Sequence, residues 1–289
     1  MRTRLPILLA LVLAAPLLTL LPAAPVAASS AGWLVRCPFT HSAADDPIKL
    51  PGLPGESHLH DFFGNPSTGA GSTYASMRAA ATACGVAADT AGYWSPALYR
   101  NATKVTPAGG STRQQIYYRR NNVADSLAVA PFPPDFRMIA GTATAATYEQ
   151  ARANGQKYGS EIYWGCSNNS TGKLQTPPAS CGTGIITLHV GFPNCWDGVA
   201  APGVEMVAAG HVRYPSGGAC PAGFGTVLPR VIQRFEYPVG VATGTVTLAS
   251  GNPFSAHADF WNTWEQGALD RLVARCLNGR VDCGTDPVP

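Results

Sequence analysis

Apolar and polar positions in this chain alternate in short bursts, and helical spacing is sustained in few places. Residues 33–37, 114–120, 136–140, 162–166, 185–190, 210–214, 227–237 and 243–248 predict strands, being rich in β-branched and aromatic side chains. Clusters of Gly, Pro, Asn and Ser separate them. Three stretches predict helix: 75–83 with Gly85 as its stop, 147–154 ending before Gly155, and 258–277. In the last, Phe260, Trp264, Leu269, Leu272, Val273 and Cys276 recur at helical spacing. Residues 45–55 cannot be helical, because Pro47, Pro51 and Pro54 fix φ and remove donors. The pattern therefore predicts a mainly β (α+β) chain. Its core is a single-domain β-sandwich or jelly-roll-like layer with a C-terminal amphipathic helix packed on it. No internal repeat, heptad or long linker divides the chain.

The N-terminus changes the picture of where this domain works. Arg2 and Arg4 precede an apolar run over 5–21, and Val26-Ala27-Ala28 supplies small residues for cleavage. We read residues 1–28 as a signal peptide and 29–289 as one secreted domain. No later run reaches the ~18 apolar residues of a membrane span. Loss of the two arginines lowers the formal charge from +3 to +1. Arg119-Arg120 is too short for a basic patch, so a nucleic-acid partner is not expected. The eight cysteines, Cys37, Cys84, Cys166, Cys181, Cys195, Cys220, Cys276 and Cys283, contain no Cys-x-x-Cys pair. An even number in an exported chain points to four disulfides, so the chain is expected to be disulfide-stapled. Cys276–Cys283 is the most local pairing; Cys37–Cys84, Cys166–Cys181 and Cys195–Cys220 complete one of about 105 connectivities.

Scarce chemistry is concentrated in Ser57-His58-Leu59-His60-Asp61-Phe62-Phe63-Gly64-Asn65, which holds two of the six histidines. In an extended segment, positions i and i+2 share a face, so His58 and His60 can converge on one ligand. Asp197 follows Trp196 in a turn, His211 lies in a short strand, and His257-Ala258-Asp259 opens the final predicted helix. Three accounts compete for these groups. In a metal account, His58 and His60 join His211 or His257, with Asp259, around a divalent ion. In an acid–base account, a histidine shares proton transfer with Asp197, whose carboxyl pKa its apolar neighbour Trp196 would raise. In the third, they only hydrogen-bond loops across the core. No Gly-x-Ser-x-Gly elbow, phosphate-binding glycine loop, His-Glu-x-x-His or EF-hand pattern is present.

The motifs, taken together, resemble the secreted family called domain of unknown function nineteen-ninety-six, known from fungal and bacterial extracellular proteins. The resemblance runs from Asp46-Pro47-Ile48 and the 57–65 stretch through Tyr93-Trp94-Ser95-Pro96-Ala97-Leu98-Tyr99 and Phe192-Pro193-Asn194-Cys195-Trp196-Asp197-Gly198. It continues in His211-Val212-Arg213-Tyr214-Pro215, Cys220-Pro221 and His257-Ala258-Asp259-Phe260-Trp261-Asn262, and so covers about 33–265. It implies an exported protein of the kind attached to carbohydrate-binding or wall-associated modules, and carries no settled reaction. Where the family pattern has a histidine-proline step after Cys220-Pro221, this chain has Gly223-Phe224-Gly225-Thr226.

The expected function is action on, or binding of, an extracellular polysaccharide or cell-wall glycan. Catalysis, as a hydrolase or lyase, would fall to His58, His60, Asp197, His211, His257 and Asp259. Trp94, Tyr99, Trp196 and Asn65 would bind substrate. Two alternatives stand beside it: a non-catalytic glycan-binding surface protein, and a metal-dependent extracellular enzyme with a divalent ion on His58, His60 and His257. The composite-site expectation requires His58, His60, Asp197, His211 and His257 to share one cleft.

Overall fold

The computed structural model describes residues 31–108, 114–120 and 127–289; the expected signal peptide, residues 1–28, lies outside them. Seventeen strands occur among the described residues, several of them short. The first eight are β1 (Gly32–Cys37), β2 (Phe39–Ala43), β3 (His60–Gly64), β4 (Gly92–Pro96), β5 (Leu98–Arg100), β6 (Thr103–Val105), β7 (Gln114–Arg119) and β8 (Arg137–Gly141). They are followed by β9 (Ile162–Cys166), β10 (Ile185–Gly191), β11 (Cys195–Trp196), β12 (Val212–Arg213), β13 (Thr226–Val227), β14 (Arg230–Pro238), β15 (Val246–Leu248), β16 (His257–Trp261) and β17 (Asp282–Thr285). The α-helices are short: α1 (Tyr74–Ala79), α2 (Tyr148–Ala151) and α3 (Gln266–Leu272), the last continuing as a wider turn to Asn278.

Two sheets carry the architecture. One has six strands in the order β17-β1-β7-β14-β10-β9, and the other five in the order β2-β3-β4-β16-β8. All pairings within them are antiparallel except β1–β17. Alternate residues of both meet in one core: Trp33, Val35, Ile116, Tyr118, Leu188 and Phe235 from the larger sheet pack with Phe63, Tyr93, Met138 and Phe260 from the smaller. This is the expected β-rich core, in which period-2 alternation sends one face of each strand inward. The four disulfides pair as the sequence suggested: Cys37–Cys84, Cys166–Cys181, Cys195–Cys220 and Cys276–Cys283.

The site depends on the other face of the five-stranded sheet. There Phe62, Trp94 and Trp261 form a second apolar cluster with Ile48 and Met77. Ile48 reaches it from the proline-rich 44–59 loop, which folds back because Asp46 Oδ1 accepts the Ile48 and Lys49 N–H groups. Asp45 fastens the same loop, accepting from Gly55 N–H on Oδ1 and Ala70 N–H on Oδ2.

One expectation fails here. Residues 257–261 do not open the final helix; they are strand β16, inserted between β4 and β8. The helical spacing over 258–277 arose because a fully buried strand and a following helix abut with only four residues between them. Phe260 in the strand and Trp264 just after it stand four apart, which continues the spacing of Leu269, Leu272 and Cys276 and mimics one helical stripe.

Candidate metal centre and cleft

His60 stands at the start of β3 and His257 at the start of β16, on the same sheet face as Phe62, Asp259 and Trp261. His58 comes from the loop just before β3. Their rings converge. His257 Nε2 lies 3.3 Å from His58 Nε2 and 3.5 Å from His60 Nε2, and one ring nitrogen from each of the three lies within 4.8 Å of the others.

In two of the rings the other nitrogen is spoken for. His60 Nδ1–H donates to the Asp45 carbonyl and His257 Nδ1–H to the Ser255 carbonyl, each at 2.8 Å. A carbonyl can only accept, so Nδ1 carries the proton in both rings and each neutral imidazole turns an Nε2 lone pair toward the other. Facing lone pairs at 3.5 Å repel unless a positive group relieves them, either a metal ion or the N–H of His58 Nε2 donating to His257 Nε2 at 3.3 Å. This tethering of the far nitrogen is the outer arrangement that orients histidine ligands around a metal. A tetrahedral ion about 2.0–2.1 Å from each nitrogen sets ligands about 3.3–3.4 Å apart, close to the 3.3 and 3.5 Å that separate His257 Nε2 from the other two rings. The protein also keeps the rings neutral. Burial pushes His257 down to about 3, with the His58 charge adding to it. Burial likewise lowers His60 well below its ordinary value, and lowers His58 against the opposing charge of Asp46.

His58 and His257 form part of the wall of a cleft of about 940 Å³. Asp46, Lys49, Glu205 and Arg213 contribute charged groups to it, and Gly141–Ala143 with Asn154–Gln156 supply polar backbone. Gly141 is required where β8 passes His257: its φ is +103°, and a Cβ there would stand 2.4 Å from the Ala256 carbonyl oxygen and 2.7 Å from His257 Cα. Glu205 Oε1 accepts the Ile139 and Val207 N–H groups and its Oε2 accepts that of Ala208, which ties the 205–208 turn to β8.

Asp259 lies beneath this wall, completely buried, with neither carboxylate oxygen hydrogen-bonded among the described residues. Burial, reinforced by the charges of Asp46 and Glu205, raises its pKa well above the carboxylate range, against the pull of Lys49. It is absent from the group of side chains whose ligating atoms lie within 4.8 Å of one another, so the histidines converge without it.

The remaining expected site residues are elsewhere. Asp197 Oδ2 and His211 Nδ1 pair at 2.8 Å, but neither lines the cleft, so the five-residue composite site reduces to its three histidines. Asp197 is not raised by Trp196. Desolvation pushes it up, but the hydrogen bonds from His211 and Val199 outweigh that and hold it below the ordinary value. Trp94 and Asn65 are completely buried and cannot touch a substrate, contrary to expectation. Trp94 floors the second cluster. The Asn65 amide donates to the Met77 and Thr90 carbonyls and its Oδ1 accepts from Ser67, knotting a loop. Trp196 is half-buried, with its Nε1 donating to Val199, and Tyr99 pairs within the small β15-β5-β6 sheet. Among the described residues, no Phe, Tyr or Trp lines the cleft.

Asp46, Lys49 and Glu205 were not foreseen as cleft residues. Asp46 had two signals, its place before Pro47 in a loop barred from helix and its part in the Asp46-Pro47-Ile48 motif; Glu205, in the loop between β11 and β12, had none.

Among families of known proteins, the one described as Domain of unknown function (DUF1996) matches residues 46–264. Neither the curated proteins nor the solved structures contain a match to the chain.

Proposed function

The chain belongs to the DUF1996 family, and from its histidine site we propose that it is a secreted, metal-dependent enzyme. His58, His60 and His257 hold a divalent ion of the zinc type, and the cleft beside them receives the substrate. The observation that carries this reading is the pair of Nδ1–carbonyl tethers that turn the Nε2 lone pairs of His60 and His257 toward each other. Three histidines leave a fourth position of a tetrahedral ion for water or substrate, the arrangement of catalytic zinc sites. Such an ion lowers the pKa of bound water or polarises a substrate oxygen, which suits hydrolysis or elimination. Asp46 lines the same cleft and acts electrostatically on His58, so it is the carboxylate placed to accept a proton. Four disulfides and the lack of a helix fit to cross a membrane among the described residues accord with secretion. Extracellular polysaccharide is the proposed substrate, bound through polar contacts.

The test is elemental analysis of purified protein, followed by zinc titration of the metal-stripped form. One equivalent per chain, lost in His60→Ala and His257→Ala, is expected. Metal retained by both variants sinks the site. Incubation with a polysaccharide panel, with and without chelator, then reads activity. Product that chelator abolishes supports the enzyme, whereas glycan binding without any product supports a surface-binding protein.

A further inference from the structure

The acids and bases of the cleft are used in opposite ways. Glu205 is occupied by three backbone N–H groups, and Asp46 Oδ1 by two. Both Glu205 oxygens and Asp46 Oδ1 are thus committed to holding loops, and of the two acids only Asp46 Oδ2 is left to the cleft. Arg213 is not so committed. It stands at the end of the short β12 strand, exposed, and its Nη1 donates to the Val207 and Val212 carbonyls. Its guanidinium carbon lies 5.5 Å from the Phe224 ring centroid, so the planar group is oriented by contacts that leave its charge uncompensated. No carboxylate lies within ion-pair range of it among the described residues. Lys49, the other cleft cation, is half-exposed and approaches Glu205 only to 3.8 Å. The charge presented to an occupant is therefore positive, although the wall contains as many acids as bases.

We propose that Arg213 receives an oxyanion of the substrate, so that the cleft is selective for an acidic chain bearing carboxylate, sulfate or phosphate groups rather than for a neutral one. A guanidinium offers paired donors that match the two oxygens of such a group, a fit an ammonium lacks. About 940 Å³ holds more than the anion alone, so the anion is one anchor of a larger ligand. The choice of substrate class builds on the proposed enzyme, but the anion site does not require the ion.

The experiment is calorimetric titration of wild type, Arg213→Met and Arg213→Lys, each zinc-loaded and metal-stripped, with metal content measured on the same samples. The probes are an oligogalacturonate, a sulfated oligosaccharide, inorganic phosphate and a neutral cello-oligosaccharide. At least one anionic probe should bind wild type better than the neutral one and bind Arg213→Met about tenfold or more weaker, in line with a lost charged hydrogen bond. Arg213→Lys should fall between, with melting temperature unchanged in both variants. Which anion binds best tells carboxylate from sulfate or phosphate. Equal anion binding by wild type and Arg213→Met, or preference for the neutral oligomer, or no anion binding at all, overturns the proposal. Anion binding that depends on Arg213 in a protein unable to take up zinc removes the metal reading and leaves this one standing. Zinc uptake with no such binding does the reverse.

Discussion

His60 and His257, 197 positions apart in the chain, hold their Nε2 atoms 3.5 Å from each other while backbone carbonyls fix both rings from behind. The relationship is set by the sheet. His60 lies opposite Pro96 on β4, and two residues after His257, Asp259 lies opposite Trp94 on the other edge of that strand. Removing either ring should weaken zinc binding by roughly a hundredfold or more, because changes to outer-sphere partners alone cost about 10–100-fold. Competition against a colorimetric chelator reads it.

Gly141 offers an indirect test. In Gly141→Ala the new methyl has nowhere to go without moving Ala256 or His257, and the positive φ adds strain of order 1–3 kcal/mol. Zinc affinity should drop together with thermal stability, although no ligand is altered. Normal affinity in the variant would show that His257 is placed by something other than its neighbour strand.

Asp89 gives a pH prediction away from the site. It is completely buried, accepts from Tyr93 and from Ala91 N–H, and burial pushes its carboxyl up to about 8, against those hydrogen bonds. In the unfolded chain it titrates near 3.9. The folded state therefore binds one more proton than the unfolded state between those values, and its stability contribution is full below about pH 4 and lost as pH rises to about 8. Urea unfolding from pH 5 to 8 should show that decline in wild type and a flatter profile in Asp89→Asn.

Asp259 should be a neutral carboxyl at pH 7, given its burial and unpartnered oxygens. Infrared difference spectra of wild type minus Asp259→Asn should contain a protonated carboxyl band at neutral pH. A carboxylate band in its place would mean that a positive charge lies close to it.

The disulfides should rank by the loop each closes. Cys37–Cys84 spans 47 residues and Cys276–Cys283 only 7. Loop entropy then makes replacing the first pair by alanine cost about 4 kcal/mol and the second about 2. Equilibrium unfolding of the two double variants measures both.

The sequence made some of this legible and hid the rest for physical reasons. Strands such as Ile162–Cys166 and Ile185–Gly191 declared themselves because they are rich in β-branched and aromatic residues and bounded by turns. The short β2, β5, β6 and β11 did not, since two to five residues carry too little pattern. His58, His60 and His257 were visible because histidine is scarce here. Trp94 was misassigned for a different reason: in sequence, an aromatic flooring a second core looks the same as one lining a groove. The Asp197–His211 pair is real but is not part of the cleft lining, although Arg213, two residues further on, is.

The late strand β16, wedged between β4 and β8, also sets a timetable. Those two strands are complete by residue 141, yet each keeps an open edge until residues 257–261 have been made and threaded in. A contact spanning nearly 200 positions is slow to form, because its loop must close before any pairing rewards it. The histidine that completes the trio arrives on that strand, so a growing chain presents all three only after residue 257 has been made. For the proposed ion, loading would then be a checkpoint for finished folding, and a chain cut before residue 257 would be metal-blind at this site as well as frayed.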